Sequence, residues 1–234
     1  ITGQEHVTRT LLAAIAAGRA AHVYLFSGPR GVGKTTSARL LAKAVNCEKA
    51  RKPESSKAGK PSGSPAPQLP SSIGEPCNTC PTCVEITEGR CLDVMEIDAA
   101  SHTGVDHVRE HIIDTARLAP ARAAKKVFII DEVHMLSTAS FNALLKTIEE
   151  PPAHVLFILA TTELHRVPET IRSRCQHFAF RRVATPALER RLQELAKAED
   201  IAVDPEVFVA IARAADGSVR DAETLLGQLM TLSG

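Results

Sequence analysis

The sequence predicts an α/β fold built on a parallel sheet, followed by a small all-helical unit, and three observations predict it. Short apolar runs at 23–26, 92–97, 127–130 and 155–160 alternate with segments of helical periodicity, as in strands covered on both faces. A glycine-rich loop connects the first run directly to a helix. Beyond Arg182 the strand pattern ceases and helical stretches follow at 186–199, 205–215 and 219–232, punctuated by Pro205 and by Asp216-Gly217-Ser218. The expected units are therefore residues 1–182 and 183–234.

In chain order, 7–17 reads as an amphipathic helix with Val7, Leu11, Leu12 and Ile15 on one side. The run 23–26 is a buried strand ending at Ser27-Gly28, and 35–46 is a helix whose apolar contacts come from Ala38, Leu40, Leu41, Ala42 and Val45. Residues 48–76 break the rhythm, since 15 of these 29 positions are Pro, Ser or Gly. Too few large apolar side chains remain to offset the entropy of ordering, so a flexible, solvated insertion is expected there. Helices over 105–116 and 140–149 separate the later strands, the second halted by Pro151-Pro152.

Composition narrows the function. Lys plus Arg number 28 against 27 Asp plus Glu, a net charge of +1, which excludes a histone-like polycation but not a local basic stripe. No apolar run approaches the roughly 18–20 residues that cross a bilayer, and the first residues lack the regions of a secretory signal. A chain opening on Ile1 instead of Met is expected to be a piece of a longer product. Cys77, Cys80 and Cys83 share a Cys-x2-Cys-x2-Cys spacing, which in a reducing compartment suggests metal before disulfides.

Gly28-Pro29-Arg30-Gly31-Val32-Gly33-Lys34-Thr35 fits the phosphate-binding loop G-x-x-x-x-G-K-[ST], with Thr36 next in the helix. Its glycines let successive backbone N–H groups point at phosphates, and the following helix adds its positive end. Lys34 is expected on the β- and γ-phosphates and the Thr35 hydroxyl on Mg²⁺. The run 127–130 delivers Asp131 and Glu132, the first to the Mg²⁺ and the second to activate a water. An acid pair favours a hydrolase. His134 completes an Asp-Glu-Val-His string seen in some helicases, where a packing role is equally open.

The string from Ser140 to Pro152 (SFNALLKTIEEPP), with Ile158-Leu159-Ala160-Thr161-Thr162 and Ser173-Arg174-Cys175, resembles the ATPase core of bacterial DNA polymerase III clamp loaders. The likeness covers nearly the whole chain apart from 48–76. It implies an AAA+ fold with an inserted zinc module and a helical lid, and an ATP hydrolase that loads a sliding clamp onto primed DNA. It further implies other clamp-loader subunits as partners, and a cytoplasmic setting in the polymerase III holoenzyme with no membrane. Arg174 would then act in trans on a neighbour's ATP, although chemistry alone allows a surface salt bridge. Thr161 or Thr162 would sense the γ-phosphate. Arg220, in Gly217-Ser218-Val219-Arg220-Asp221-Ala222, would contact phosphates in cis, and Ile1-Thr2 would lie near the adenine.

The same resemblance makes Cys47, Cys77, Cys80 and Cys83 a closed zinc site, with Cys91 as an alternative fourth ligand and Cys175 a structural thiol. Lengthening the Cys47–Cys77 gap from about 8 to about 29 residues costs roughly 1 kcal/mol, small beside the roughly 10 kcal/mol of structural zinc. Ala100 to Val105 resembles the DNA-facing loop, where Thr103 and Arg109 could meet phosphates and His102 and Gly104 stand in for basic residues. On the residues alone, Ser101 as a helix cap serves equally well. A helicase on the same core is the alternative motor.

Overall fold

The computed structural model describes residues 1–51, 74–101, 104–201 and 203–232. Its strands are β1 (Val23–Ser27), β2 (Val94–Asp98), β3 (Lys126–Asp131), β4 (Val155–Thr161) and β5 (Gln176–Ala179). They form one sheet in the order β2-β3-β4-β1-β5, with every neighbouring pair parallel. The helices are α1 (Glu5–Ala16), α2 (Lys34–Asn46), α3 (Glu48–Arg51), α4 (Pro81–Thr87), α5 (Val105–Val108), α6 (Thr138–Glu149), α7 (Glu169–Arg172), α8 (Thr185–Ala198), α9 (Pro205–Ala214) and α10 (Val219–Leu232).

Strand periodicity sorts the core into two layers. Leu25, Phe128, Ile130, Phe157 and Leu159 face one side, packed against Val108, Ile112, Phe141, Leu144 and Ile148. Tyr24, Phe26, Val127, Ile129 and Ile158 face the other, against Val7 and Leu11 of α1 and Ala38, Leu41 and Ala42 of α2. Helices on both faces bury β1 and β4 completely, which is why their sequences are continuous apolar runs. Helices α8, α9 and α10 bury a separate cluster that includes Leu188, Leu192, Phe208, Ile211 and Leu226.

The structure departs from the sequence patterns in several places. The apolar runs predict four strands and miss β5, an edge strand that buries only Phe178. The strand expected from 92 starts at Val94, and Leu92 is 80% exposed. Asp93 turns inward instead, accepting from the N–H groups of Ala121, Arg122 and Ala123 at 2.7, 2.8 and 2.8 Å. The helix expected over 105–116 is α5 followed by a π-helical stretch, Arg109–Asp114. Gly104, not Ser101, precedes α5, and Ser101 instead donates to the Asp98 carboxylate at 3.2 Å. Of the 48–76 insertion only the ends are described; 52–73 lies outside the described residues, as do His102 and Thr103.

Candidate nucleotide site and cysteine cluster

The loop leaving β1 curls tightly before α2 begins. Gly28, Gly31 and Gly33 hold φ of +145°, +74° and +95°, conformations that disfavour a side chain. Space forbids one as well: a Cβ on Gly28 would come within 2.4 Å of the Phe180 carbonyl oxygen, and one on Gly31 within 2.0 Å of Ser218 Oγ. The loop thereby delivers the N-terminus of α2, an anion-attracting helix end. Lys34 is buried and its Nζ donates to the carbonyls of Gly28 and Pro29 at 2.8 and 2.7 Å. Burial lowers its pKa; Glu132 and Asp131 oppose that, while Arg220 adds to it.

β3 brings the acid pair to the same edge. Thr35 Oγ1 donates to Asp131 Oδ2 at 2.6 Å, and the Glu132 N–H donates to Asp131 Oδ1 at 2.9 Å. Glu132 is left-handed at φ +45°, a rare state for a side-chain-bearing residue. Its Oε2 accepts from the N–H and hydroxyl of Thr162 at 3.1 and 2.9 Å. Because β4 lies between β3 and β1, Thr161 and Thr162 emerge between the acids and the loop. Thr161 is buried, its Oγ1 accepting from the Glu163 N–H at 3.0 Å. His134 is also buried, with Nδ1 3.0 Å from Thr161 Oγ1 and 3.4 Å from Glu132 Oε2, and Nε2 3.2 Å from Glu163.

The loop and the acid pair border an open cleft of about 450 Å³ between the sheet and helices α8 and α10. Ile1, Thr2, Arg30, Gly31, Val32, Gly33, Lys34, Thr35, Thr36, Asp131, Glu132 and Arg220 line it, whereas Gly28, Pro29, Thr161 and Thr162 do not. Leu40 of α2 and Val219, beside Arg220, also line it; Arg191 and Glu223 line it without any signal in the sequence, since only packing of α8 and α10 turns them inward. Arg191 pairs with Glu223 at 3.2 Å. The start of α10 meets the loop directly: the Gly31 carbonyl accepts from the N–H groups of Val219 and Arg220 at 2.9 and 3.3 Å. Gln4, fully buried, anchors the segment after Ile1-Thr2 by bonding both backbone groups of Arg181.

Arg174 stands apart from that lining, between α7 and β5. Its guanidinium pairs with Glu149 at 2.7 Å and donates to the Thr170 carbonyl at 2.7 Å and Ser173 Oγ at 3.3 Å.

Cys47, Cys77, Cys80 and Cys83 converge, their sulfurs all within 4.8 Å of one another, and Cys91 is not in the group. Zinc–sulfur bonds of about 2.3 Å set tetrahedral edges of about 3.8 Å, so the four thiols suit zinc without large rearrangement. The N–H of Cys77 donates to Cys47 Sγ and that of Cys80 to Cys77 Sγ, both at 3.3 Å. Hydrogen bonds from Thr79 and from backbone N–H groups pull the Cys77 thiol down to about 5, while burial raises that of Cys83. Cys91 and Cys175 are likewise raised by burial, Cys175 to about 12, which suits thiols that take no part in chemistry.

Residues 3–62 and 68–184 match the family described as DNA polymerase III, delta subunit, and residues 187–234 match the DNA polymerase III clamp loader subunit, ATPase lid domain. DNA polymerase III subunit tau of Bacillus subtilis is 49% identical over 234 residues, all of this chain and 38% of the relative. Subunit tau of Escherichia coli K12 is 46% identical over 228 residues, 97% of this chain and 32% of the relative. Subunit gamma/tau of Mycobacterium tuberculosis H37Rv is 44% identical over 232 residues, 98% of this chain and 36% of the relative. The chain thus spans about a third of the length of these relatives. Among solved structures, the Thermotoga maritima RuvB Holliday junction branch migration motor superposes with a TM-score of 0.65 at 20% identity, over 98% of this chain and 62% of that one. That likeness shows the fold alone.

Proposed function

The chain belongs to the family of DNA polymerase III clamp-loader subunits, and from that premise we propose that it is the ATPase part of a tau/gamma-type subunit. In this reading it binds ATP with Mg²⁺ and, with other clamp-loader subunits, hydrolyses it to load a sliding clamp onto primed DNA. One observation carries the chemistry: the 2.6 Å bond from Thr35 to Asp131, which joins the phosphate loop to the acid pair.

Those two oxygens are a hard donor set suited to Mg²⁺, which when bound neutralises phosphate charge and aligns the β- and γ-phosphates. Lys34 exchanges the Gly28 and Pro29 carbonyls for phosphate oxygens, a local rotation with no refolding of the loop. Glu132 accepts a proton from the attacking water, and Thr162 sets where that carboxylate sits. Arg220 enters from the start of α10, so phosphate contact reports to the helical unit through the Gly31 clip. Arg174 serves a neighbouring subunit's ATP, and Arg109, exposed on the π-helical stretch, is the described candidate for a DNA phosphate contact. The two units divide at 182/183. The four-cysteine cluster holds one structural zinc, remote from hydrolysis.

Glu132→Gln in a reconstituted loader tests the assignment. Nucleotide affinity should stay within about twofold while turnover falls about 100-fold or more. Wild-type turnover by that variant would overturn it. Metal analysis of the purified chain should find one zinc, lost in Cys80→Ser.

A further inference from the structure

We propose that Glu149 is a positioning residue for Arg174, fixing the guanidinium in the pose that serves the neighbouring ATP site. The proposal rests on the trans-acting reading of Arg174 above. Glu149 is the last residue of α6, and α6 is firmly seated: Phe141, Leu144 and Ile148 lie in the core, and Ser137 caps its first turn by accepting from the Ser140 N–H. Pro151-Pro152 then prevents the helix from continuing. A carboxylate at the end of a helix faces the negative end of its dipole, an unfavourable place unless a cation answers it. Arg174 is that cation, at 2.7 Å.

The hold comes from two separate elements. Nη2 is fixed by Glu149 on α6, and Nη1 by the Thr170 carbonyl and Ser173 Oγ around α7. Of the five N–H donors of a guanidinium, three are engaged with described residues of this chain and two remain. The Arg174 side chain is 39% exposed, so a neighbour's phosphate can approach it. An unrestrained arginine would surrender its rotamer freedom on each engagement, whereas one fixed at three points meets the developing charge already oriented. An isolated surface ion pair contributes little to stability. The expected effect is therefore on turnover, with ATP affinity and folding unchanged.

The experiment measures steady-state ATP hydrolysis by the reconstituted, DNA-stimulated loader built from full-length subunits. Glu149→Ala should lower kcat about tenfold and leave KM for ATP within about twofold. Glu149→Gln, which still accepts one hydrogen bond from Nη2, should retain most of the rate. In an Arg174→Ala background, Glu149→Ala should cost nothing further. If Arg174→Ala itself leaves kcat intact, the trans-acting reading falls, and this inference with it. If Arg174→Ala slows hydrolysis but Glu149→Ala does not, or if the two losses simply multiply, Glu149 does not act through Arg174 and the inference alone is overturned.

Discussion

Gly31 carries two duties in one residue: its φ of +74° bends the phosphate loop, and its carbonyl receives the first N–H groups of α10. A methyl group there collides with Ser218 Oγ at 2.0 Å, so Gly31→Ala should push the helical unit off the loop. We expect nucleotide affinity to fall at least about tenfold with far-UV circular dichroism preserved, measured by titration with a fluorescent ATP analogue. Thr162→Ala should be milder and differently placed. It removes the hydroxyl from Glu132 while leaving the backbone N–H, so kcat should fall about tenfold and affinity should hold. A fall in affinity with kcat intact would show that Thr162 acts on binding instead. The sequence pointed to Lys34, Thr35, Asp131 and Glu132 because a glycine loop opening a helix and an acid pair closing a strand follow spacings that the proposed chemistry itself requires. It did not decide between Thr161 and Thr162, since which hydroxyl faces the acid depends on the pleat of β4. Arg191, Glu223 and Glu149 were invisible for a similar reason: each acquires its role from an element remote in sequence.

At the scale of elements, the connection before β3 depends on one buried acid. Asp93 satisfies three consecutive backbone N–H groups that would otherwise be orphaned. Burial opposes its ionisation, but the three donors and Lys126 outweigh that and hold its carboxyl below the usual aspartate value. A folded pKa below the unfolded one means stability that is full above the unfolded value, near pH 4, and lost as pH falls through the folded value. Asp93→Ala should therefore destabilise the fold by about 3 kcal/mol at neutral pH in urea melts, with the gap to wild type narrowing below about pH 4. A gap that stays constant down to about pH 2 would refute the electrostatic account. Strands β1, β3 and β4 were legible because burial on both faces leaves apolar choices, and α2 and α6 because apolar residues recur on the face turned to the sheet. β5 and the start of β2 were not. An edge strand is half solvated, and Leu92 next to an inward-turned Asp93 imitates a strand residue while facing water.

At the scale of the molecule, α2 links the two sites. Its N-terminus receives the phosphate loop, its C-terminus is Cys47 of the cysteine cluster, and Asn46 clips it to both backbone groups of Lys125 at the foot of β3. Chelating zinc should lower the thermal midpoint by about 5 °C or more, an effect absent in Cys80→Ser, as differential scanning fluorimetry would show. The strand order has a further consequence, for how such a chain comes into being. β1 sits between β4 and β5, so Val23 waits for Phe157 and Tyr24 for Gln176 before either edge is paired. Gly31 waits longer still, for Val219. Synthesised from its N-terminus, the chain emerges with a fully buried strand early and that strand's partners late. The cleft proposed for ATP therefore forms only after α10 has been made, so nucleotide affinity should report that the sheet and the start of α10 have come together.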